Sequence, residues 1–289
     1  MKGNFIDNMI FALKSIPSLG RDFIFLDTDF GKIRAFDTRE NKPVVINVPD
    51  GPNSIEHQLP LIDALSKNHR VVCFEYPGIG FSYPNSNFDY SFKHGTGLLM
   101  QVMDLLDVSN AILLFSCSNG FYAINAARYH PERFRHIFLS QTPSINSMNS
   151  WTDVNIPKAL KIPFVGQMVN TVSSKKLAQI WYRTALPKDS IQKQGFINTS
   201  HKCLDRNGCF CLSSLVQGLS AEKNTAMDLT AVPATLVWGA KDFSHRKTDK
   251  NTIRNHIPNC EIIEFGNCGH FPELEETESF VQLIKERTL

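Results

Sequence analysis

The stretch AILLFSCSNGFYA, residues 111–123, decides the fold of this chain. A short apolar run typical of a buried strand ends at Ser-Cys-Ser-Asn-Gly, and apolar residues then return at helical spacing. A nucleophilic serine on a sharp turn between a strand and a helix is held in strained backbone geometry, with its hydroxyl above the sheet. Polar and thiol side chains at the tip of such a strand therefore indicate a catalytic turn.

Ser118 is the residue that this pattern singles out as a nucleophile. The usual form of the turn is G-x-S-x-G, and Ser116 and Gly120 flank Ser118 at that spacing, with Ser116 replacing the first glycine. The alternative is an ordinary loop whose serines cap the following helix. Cys117, beside Ser118, is interpreted as a buried apolar side chain.

Apolar runs outside this stretch alternate with helical patterns. FIFLDT and KIRAFDT read as a hairpin, and PVVINVP, HRVVCFEYP, RHIFLSQ, ATLVWGA and CEIIEFG read as further strands separated by amphipathic segments such as SIEHQLPLIDALSK. Continuous apolar strands separated by helices are typical of a parallel sheet covered on both faces. The pattern predicts an α/β, doubly wound core.

The alternation is interrupted in one place, which suggests three parts. Residues 142–228 carry tryptophan, tyrosine and phenylalanine among helical patterns without strands, and we interpret them as an inserted helical cap. Residues 21–141 and 229–289 form the predicted core. Residues 1–20 form a predicted N-terminal amphipathic helix, packed on the body rather than lying on a membrane, through Phe5, Ile6, Met9, Ile10, Leu13 and Ile16.

Composition favours small-molecule chemistry. The 289 residues are 42% apolar and 20% charged, with a formal charge of +2, which fits one large core or a core with a lid. This balance gives no electrostatic reason to expect a nucleic acid or a polybasic membrane anchor as partner. We expect neither a membrane span nor an export signal, and seven cysteines, an odd number, favour a reduced cytoplasmic setting. No cofactor is expected, and the oligomeric state is left open.

One cysteine cluster is the sequence feature closest to a metal site. Cys203, Cys209 and Cys211, with His201 nearby, have C-x5-C-x-C spacing rather than the paired C-x2-C of common zinc sites. We interpret them as structural thiols and predict no metal site.

A nucleophilic serine needs a base, and the base needs an acid to orient it. In chain order after the serine, Asp242 follows the strand ATLVW and His270 follows the strand EIIEF. The strand RHIFLSQ offers no carboxylate at its end, which favours Asp242 as the acid. The triad predicted from the sequence is Ser118, Asp242 and His270.

Acyl transfer also requires backbone N–H groups directed at the oxygen that becomes negative. We expect one from Asn119, directly after the predicted nucleophile, and one from the loop at residues 49–53 after the strand VVINV.

Several segments together resemble the capped α/β-hydrolase family. DGPNSIEHQLPLIDALSKNHRVVCFEYPGIGFS is similar to the family's oxyanion loop, first helix, strand and glycine turn, and WGAKD and GHFPELEETESF match its acid and histidine segments. The resemblance implies a mostly parallel sheet of about eight strands with helices on both faces and an inserted cap. It also places Gly51 at the oxyanion-donor position, although Pro49-Asp50 replaces the family's His-Gly pair.

The family includes esterases, proline iminopeptidase-like enzymes, C–C bond hydrolases, haloalkane dehalogenases and epoxide hydrolases. The last two use an aspartate nucleophile, so the resemblance is to the serine branch. It implies a serine hydrolase that cleaves a carboxylic ester, lactone or thioester of a moderately sized apolar molecule through an acyl-enzyme. A lyase or acyltransferase with the same triad, and a catalytically weak ligand-binding homologue, are the alternatives.

Overall fold

Eight of the ten strands found in residues 3–16, 23–222 and 230–288, the part of the chain that the computed structural model describes, form one central sheet. Their order across it is β1-β2-β4-β3-β6-β7-β9-β10. The first two strands are antiparallel to their neighbours and the rest run parallel. The strands are β1 Phe23–Thr28, β2 Gly31–Asp37, β3 Val44–Val48, β4 Arg70–Phe74, β5 Ile79–Gly80, β6 Ala111–Ser116, β7 Phe134–Ser140, β8 Cys209–Phe210, β9 Ala234–Gly239 and β10 Glu261–Phe265.

Helices cover both faces of the sheet, so the predicted fold class is confirmed. On one side α3 packs against α4, and on the other α2 packs against α10 and α11. The helices are α1 Asn4–Ala12, α2 Ile55–Ser66, α3 Phe92–Leu105, α4 Gly120–Tyr129, α5 Ile145–Asn155, α6 Lys158–Lys161, α7 Val165–Ala185, α8 Lys193–Asp205, α9 Leu212–Ala221, α10 Pro272–Glu275 and α11 Thr277–Thr288.

Strand β6 shows why the apolar runs are continuous. All six of its residues are buried, and successive side chains alternate between the two layers of helices. Leu113 and Phe115 belong to the core under α3 and α4, whereas Ile112 and Leu114 belong to the core under α2 and α11. A strand that is buried on both faces has apolar side chains on both sides. The carboxyl end of β6 therefore lies inside the protein rather than at its surface.

The segment between β7 and β9 carries the helices α5 to α9, as expected for the region interpreted as a cap; residues 223–228 of that region lie outside the described residues. It is not free of strands, however. The two-residue strand β8 pairs with β5, and this pairing joins the segment to the loop after β4. Between β9 and β10 the chain forms a 3-10 helix, Lys250–Asn255.

The N-terminal helix α1 does not bury the face that the apolar spacing predicts. Phe5, Met9 and Leu13 are 44%, 51% and 90% exposed. Asp7 and Phe11 are buried instead, because the Asp7 carboxylate accepts a hydrogen bond of 2.6 Å from the Ser214 hydroxyl on α9. Residues 1, 2 and 17–20 of the predicted helix lie outside the described residues. No helix in the described ranges is long and apolar enough to cross a membrane.

A buried ion network anchors the loops that follow β3 and β4. The Arg34 guanidinium donates to Glu75 Oε2 at 2.9 Å and to both Glu56 carboxylate oxygens at 2.7 and 2.8 Å. Glu75 in turn accepts from the backbone N–H of Ile55, at the start of α2, and of Phe81. This network therefore holds the segment that carries Gly51 against the segment that carries β5.

Candidate active site

The turn after β6 has Cys117, not Ser118, at its apex. The strand ends at Ser116, and Cys117 follows with a φ of 52°, in the left-handed region that L residues rarely adopt. Ser118 and Asn119 already belong to the 3-10 turn that leads into α4. The prediction that Ser118 occupies the apex is wrong, because the strand stops one residue earlier than its apolar pattern suggests.

Packing and hydrogen bonds of neighbouring residues fix the shape of this turn. Gly120 allows α4 to approach Thr142, since a Cβ on Gly120 would lie 2.4 Å from the Thr142 hydroxyl oxygen. That hydroxyl donates to the Cys117 carbonyl at 2.9 Å. The Ser116 hydroxyl donates to Glu273 at 2.9 Å, away from the cavity above the turn. The small residue at position 120 therefore serves the turn around Cys117.

Asp242 and His270 lie together as the sequence predicts. His270 follows β10, its side chain is fully buried, and its Nδ1 is 2.6 Å from Asp242 Oδ2. The backbone N–H of His270 also donates to the carbonyl of Ala185, the last residue of α7. These contacts orient the ring so that Nδ1 faces the acid and Nε2 faces the turn.

Asp242 is held in its ionised form. Burial alone raises the pKa of Asp242, but the positive His270 ring and the hydrogen bonds of Ser244 bring the pKa to about 2. Ser244 donates its backbone N–H and its hydroxyl to Asp242 Oδ1 at 2.8 and 2.6 Å. Gln141, after β7, donates to Asp242 Oδ2 at 2.7 Å. The carboxylate is therefore a fixed negative charge beside the imidazole.

A second carboxylate faces the other nitrogen of the same imidazole. Asp50 Oδ2 lies 3.3 Å from His270 Nε2, and the Asp50 side chain is buried. Burial lowers the pKa of His270, but Asp242, Cys117 and Asp50 together raise this pKa well above its usual range. Asp50 stands where the family has the glycine of its His-Gly pair, so this contact follows directly from the departure seen in the sequence.

The Cys117 thiol lies against His270 and Asp50. Burial and the Asp50 charge raise the pKa of the thiol and His270 lowers it, with a net pKa of about 11. Asp50 and Cys117 both lie close to His270, and both raise its pKa. A change in the charge of Asp50 is therefore expected to change the pKa of the thiol.

Candidate oxyanion donors lie on both sides of the thiol. With Cys117 at the apex, the backbone N–H that directly follows it belongs to Ser118. Ser118, rather than Asn119, is therefore the candidate oxyanion donor on this turn. Asn119 donates its side-chain amide to the Pro49 carbonyl at 3.1 Å and so ties the turn to the loop that contains Gly51. Gly51 has no room for a side chain, since a Cβ would lie 2.7 Å from Ile79 and 2.8 Å from Phe210.

His245 is a site residue that the sequence analysis missed. It lies three residues after Asp242, is buried, and stacks on His270 with ring centroids 5.3 Å apart. Its other face stacks on Trp151 at 4.8 Å, and burial lowers its pKa to about 3, so it is neutral. No periodicity or motif in the sequence separates His245 from an ordinary histidine in a loop.

A cavity of about 330 Å³ opens above Cys117 and Ser118. Asp50 and Gly51 line its floor, and Arg246 is among the few charged residues around it. Most of its wall is apolar and comes from α5 and the residue after it, α6, α7 and α9, through Met148, Trp151, Ile156, Leu160, Leu177, Ile180, Trp181, Leu212, Leu215, Val216 and Leu219. A volume above roughly 300 Å³ and a mostly apolar lining are typical of sites for small organic molecules.

The cysteines that the sequence singled out lie elsewhere. Cys203, Cys209 and Cys211 are buried free thiols, and Cys209 and Cys211 pack with Phe11 of α1. The His201 ring contacts the Lys175 carbonyl at 3.2 Å. Their placement agrees with the interpretation as structural thiols.

Replacing Asp50 by Asn is expected to make the Cys117 thiol react at lower pH. The variant removes a negative charge that raises the thiol pKa, while Asp242, which raises the pKa of His270 more than Asp50 does, stays in place. We expect alkylation of Cys117 by iodoacetamide at pH 7.5 to become about three- to tenfold faster, since one pKa unit changes the thiolate fraction tenfold.

The measurement is the alkylation rate against pH, followed by peptide mass spectrometry. Parallel runs on Cys117→Ser separate the reaction at position 117 from that of the other cysteines. An unchanged or higher pH midpoint in Asp50→Asn would show that Asp50 does not control the thiol.

Comparison with known proteins agrees with the fold. The family model for the alpha/beta hydrolase fold matches residues 43–277. The chain belongs to this family. The resemblance drawn from the sequence is therefore confirmed at the level of the α/β-hydrolase fold.

Individual relatives are distant and differ in activity. The chain is 22% identical over 280 residues to a cis-3-alkyl-4-alkyloxetan-2-one decarboxylase of Shewanella oneidensis, with 90% of this chain and 86% of that protein covered. It is 24% identical over 242 residues to the pimeloyl-[acyl-carrier protein] methyl ester esterase of Neisseria meningitidis, covering 78% and 91%. The epoxide hydrolase VrEH1 of Vigna radiata superposes with a TM-score of 0.74 at 17% identity, covering 92% and 97%. Hydrolases among the relatives support an enzyme.

Proposed function

We propose that this α/β-hydrolase is a cysteine-dependent hydrolase with Cys117 as nucleophile, His270 as base and acid, and Asp242 as the group that orients His270. The single observation that carries this proposal is the φ of 52° at Cys117, which makes it the strained residue between strand and helix. The thiol at that apex faces the imidazole that Asp242 fixes.

The proposed reaction has two steps. In the form of the protein in which His270 Nε2 carries no proton, the thiol proton passes to that nitrogen, the sulfur attacks the substrate carbonyl carbon, and the C–O or C–S bond to the leaving group breaks as His270 returns the proton to the leaving group. His270 then takes a proton from water, the hydroxide attacks the carbonyl carbon of the acyl-thioester, and the bond from that carbon to the Cys117 sulfur breaks as His270 returns the proton to the sulfur. One water is consumed, and an acid and an alcohol or thiol are released.

The remaining groups stabilise charge in these steps. The backbone N–H groups of Gly51 and Ser118 are proposed to bind the oxyanion, with Asn119 holding the two segments together through Pro49. Asp242 stabilises the imidazolium that forms in each step. Asp50 regulates how readily the proton on His270 Nε2 becomes available.

The substrate class follows from the cavity. Its apolar wall fits an ester, lactone or thioester whose acyl group is apolar and of moderate size. The esterase from Neisseria meningitidis named above acts on a methyl ester, which supports ester chemistry for this chain as well.

Trapping of the acyl-enzyme tests the proposal directly. p-Nitrophenyl esters of graded acyl length are mixed with the protein, quenched in acid within milliseconds to seconds, and the adduct is located by peptide mass spectrometry. We expect one acyl group, bound as a thioester at Cys117 and released by neutral hydroxylamine. Turnover with the adduct on Ser118 would refute the assignment. So would turnover with no adduct on Cys117 in samples quenched after steady state has been reached.

A further inference from the structure

One thiol and two imidazoles lie close together, and the thiol of Cys117 lines the cavity. The Cys117 sulfur and one nitrogen each from His245 and His270 all lie within 4.8 Å of one another, and the three side chains are buried. Thiolate and neutral imidazole are the ligands that Zn²⁺ prefers, whereas Mg²⁺ and Ca²⁺ prefer oxygen. The proposed hydrolysis uses two of these groups and leaves His245 without a role.

Both imidazoles are anchored through Nδ1. His270 Nδ1 contacts the Asp242 carboxylate at 2.6 Å, and His245 Nδ1 contacts the Thr248 hydroxyl at 3.1 Å. Histidines that bind metals usually donate the N–H of the other ring nitrogen to a carboxylate or similar acceptor, which fixes the ring and leaves a lone pair for the metal. In both rings the other nitrogen is Nε2, and in His270 it also lies 3.3 Å from Asp50 Oδ2.

Nε2 of His245 is a buried polar atom without a hydrogen-bond partner in the described part of the chain. A buried imidazole nitrogen left in this way costs free energy, and a metal ion is one group that satisfies it.

The surroundings suit a cation of charge +2. The carboxylates of Asp50 and Asp242 both contact the His270 ring, at Nε2 and Nδ1 respectively. The cavity reaches Cys117, which gives an entry path and a side on which a fourth ligand, such as water, is able to bind. Three protein ligands with one open position are common in zinc sites that exchange ligands.

We propose that Cys117, His245 and His270 form a Zn²⁺ site. Binding replaces the thiol proton and any proton on His270 Nε2 with the metal. The metal binding stands by itself, while its consequence, a block of nucleophile and base, rests on the proposed function.

Metal binding is measured on the full chain, reduced with a phosphine and treated with chelator. Equilibrium dialysis against ZnCl₂ with elemental analysis is expected to give one Zn²⁺ per chain. Co²⁺ in place of Zn²⁺ is expected to give a thiolate-to-cobalt charge-transfer band in the near ultraviolet, which reports the sulfur ligand directly.

Variants of His245 and of its neighbour Thr248 test whether His245 is a metal ligand. His245→Phe keeps the stacking on Trp151 but removes the nitrogen, and we expect at least about 100-fold weaker Zn²⁺ binding. Thr248→Val leaves all three ligands in place and removes only the Nδ1 acceptor, with an expected loss of about 10- to 100-fold. Cys209→Ser is the matched control, a buried thiol away from the cavity, and is expected to bind like the unmodified chain.

Two results would overturn the site: wild-type affinity in both His245→Phe and Thr248→Val, or a cobalt spectrum without the thiolate band. Protection of Cys117 from iodoacetamide by Zn²⁺ supplies a readout that needs no enzymatic activity. Protection of Cys117 by Zn²⁺ without any ester turnover would refute the proposed hydrolase and support the metal site. Ester turnover with acylation of Cys117 but without Zn²⁺ binding would support the hydrolase and refute the metal site.

Discussion

Replacing Cys117 by Ala is expected to lower kcat for p-nitrophenyl esters at least about 10⁴-fold, because the variant lacks the atom that forms the acyl bond. The fold is expected to persist, since the alanine keeps the Cβ and loses only a small sulfur atom. Steady-state kinetics give the effect, and circular dichroism and thermal unfolding check that the variant is folded. Binding of a product acid is expected to change little, because the cavity wall remains.

The matched control is Ser118→Ala, one residue along the same turn. Its side chain is half-buried and lines the cavity, yet its proposed contribution is the backbone N–H, which alanine keeps. We expect kcat within about tenfold of the unmodified chain, in line with the loss of a side chain that takes no part in bond formation. The reverse pattern, with Ser118→Ala inactive and Cys117→Ala active, would restore the serine hydrolase predicted from the sequence.

The two neighbouring residues show where sequence reasoning succeeds and where it stops. The order of strand, turn and helix and the later Asp242 and His270 were predictable, because each lies at the end of an apolar strand and parallel strands bring those ends to one edge. The apex was not, because at the spacing of two the small residues Ser116 and Gly120 flank Ser118, whereas Phe115 and Asn119 flank Cys117, so the sequence pattern favours the wrong residue. The end of β6 at Ser116 and the positive φ of Cys117 distinguish them, and strand ends shift easily by one residue.

Other parts of the site depend on tertiary packing that periodicity does not encode. His245 becomes a neighbour of Cys117 because the segment after Asp242 folds back over the turn. The prediction of which face of α1 is buried was wrong for a related reason. The hydrogen bond between Asp7 and Ser214 orients the helix, and its apolar side chains at helical spacing do not. In both cases a local polar contact decides the orientation, and hydrophobic patterns carry no information about it.

The loop that holds Asp50 and Gly51 depends on the buried Arg34, so Arg34→Met is expected to have a large effect on stability. The Arg34 side chain is fully buried, lies between the rings of Phe23 and Phe81 at 4.7 and 4.6 Å, and pairs with the fully buried Glu75. Methionine fills part of the space but leaves the Glu75 carboxylate uncompensated. Removing one partner of a buried pair typically costs about 3–5 kcal/mol, and we expect a loss of that size in the free energy of unfolding.

The loss is expected to depend on pH. Burial already raises the pKa of Glu75 above its usual range, and removing the guanidinium takes away the main cause that lowers it. The folded variant therefore binds a proton that the unfolded chain releases, so its stability falls as pH rises from the unfolded pKa of Glu75 to the higher folded pKa. Chemical denaturation at pH 5 and pH 8 is expected to show the larger deficit at pH 8.

Arg287→Met provides the comparison for Arg34→Met, because Arg287 makes an ion pair with Glu261 at the surface and water replaces that partner readily. We expect this variant to unfold close to the unmodified chain at both pH values. An Arg34→Met deficit no greater than that of Arg287→Met would mean that water reaches Glu75 and that the network contributes little. A deficit that grows with pH would instead show that a paired buried charge holds the Asp50–Gly51 loop, and with it one proposed oxyanion donor, in place.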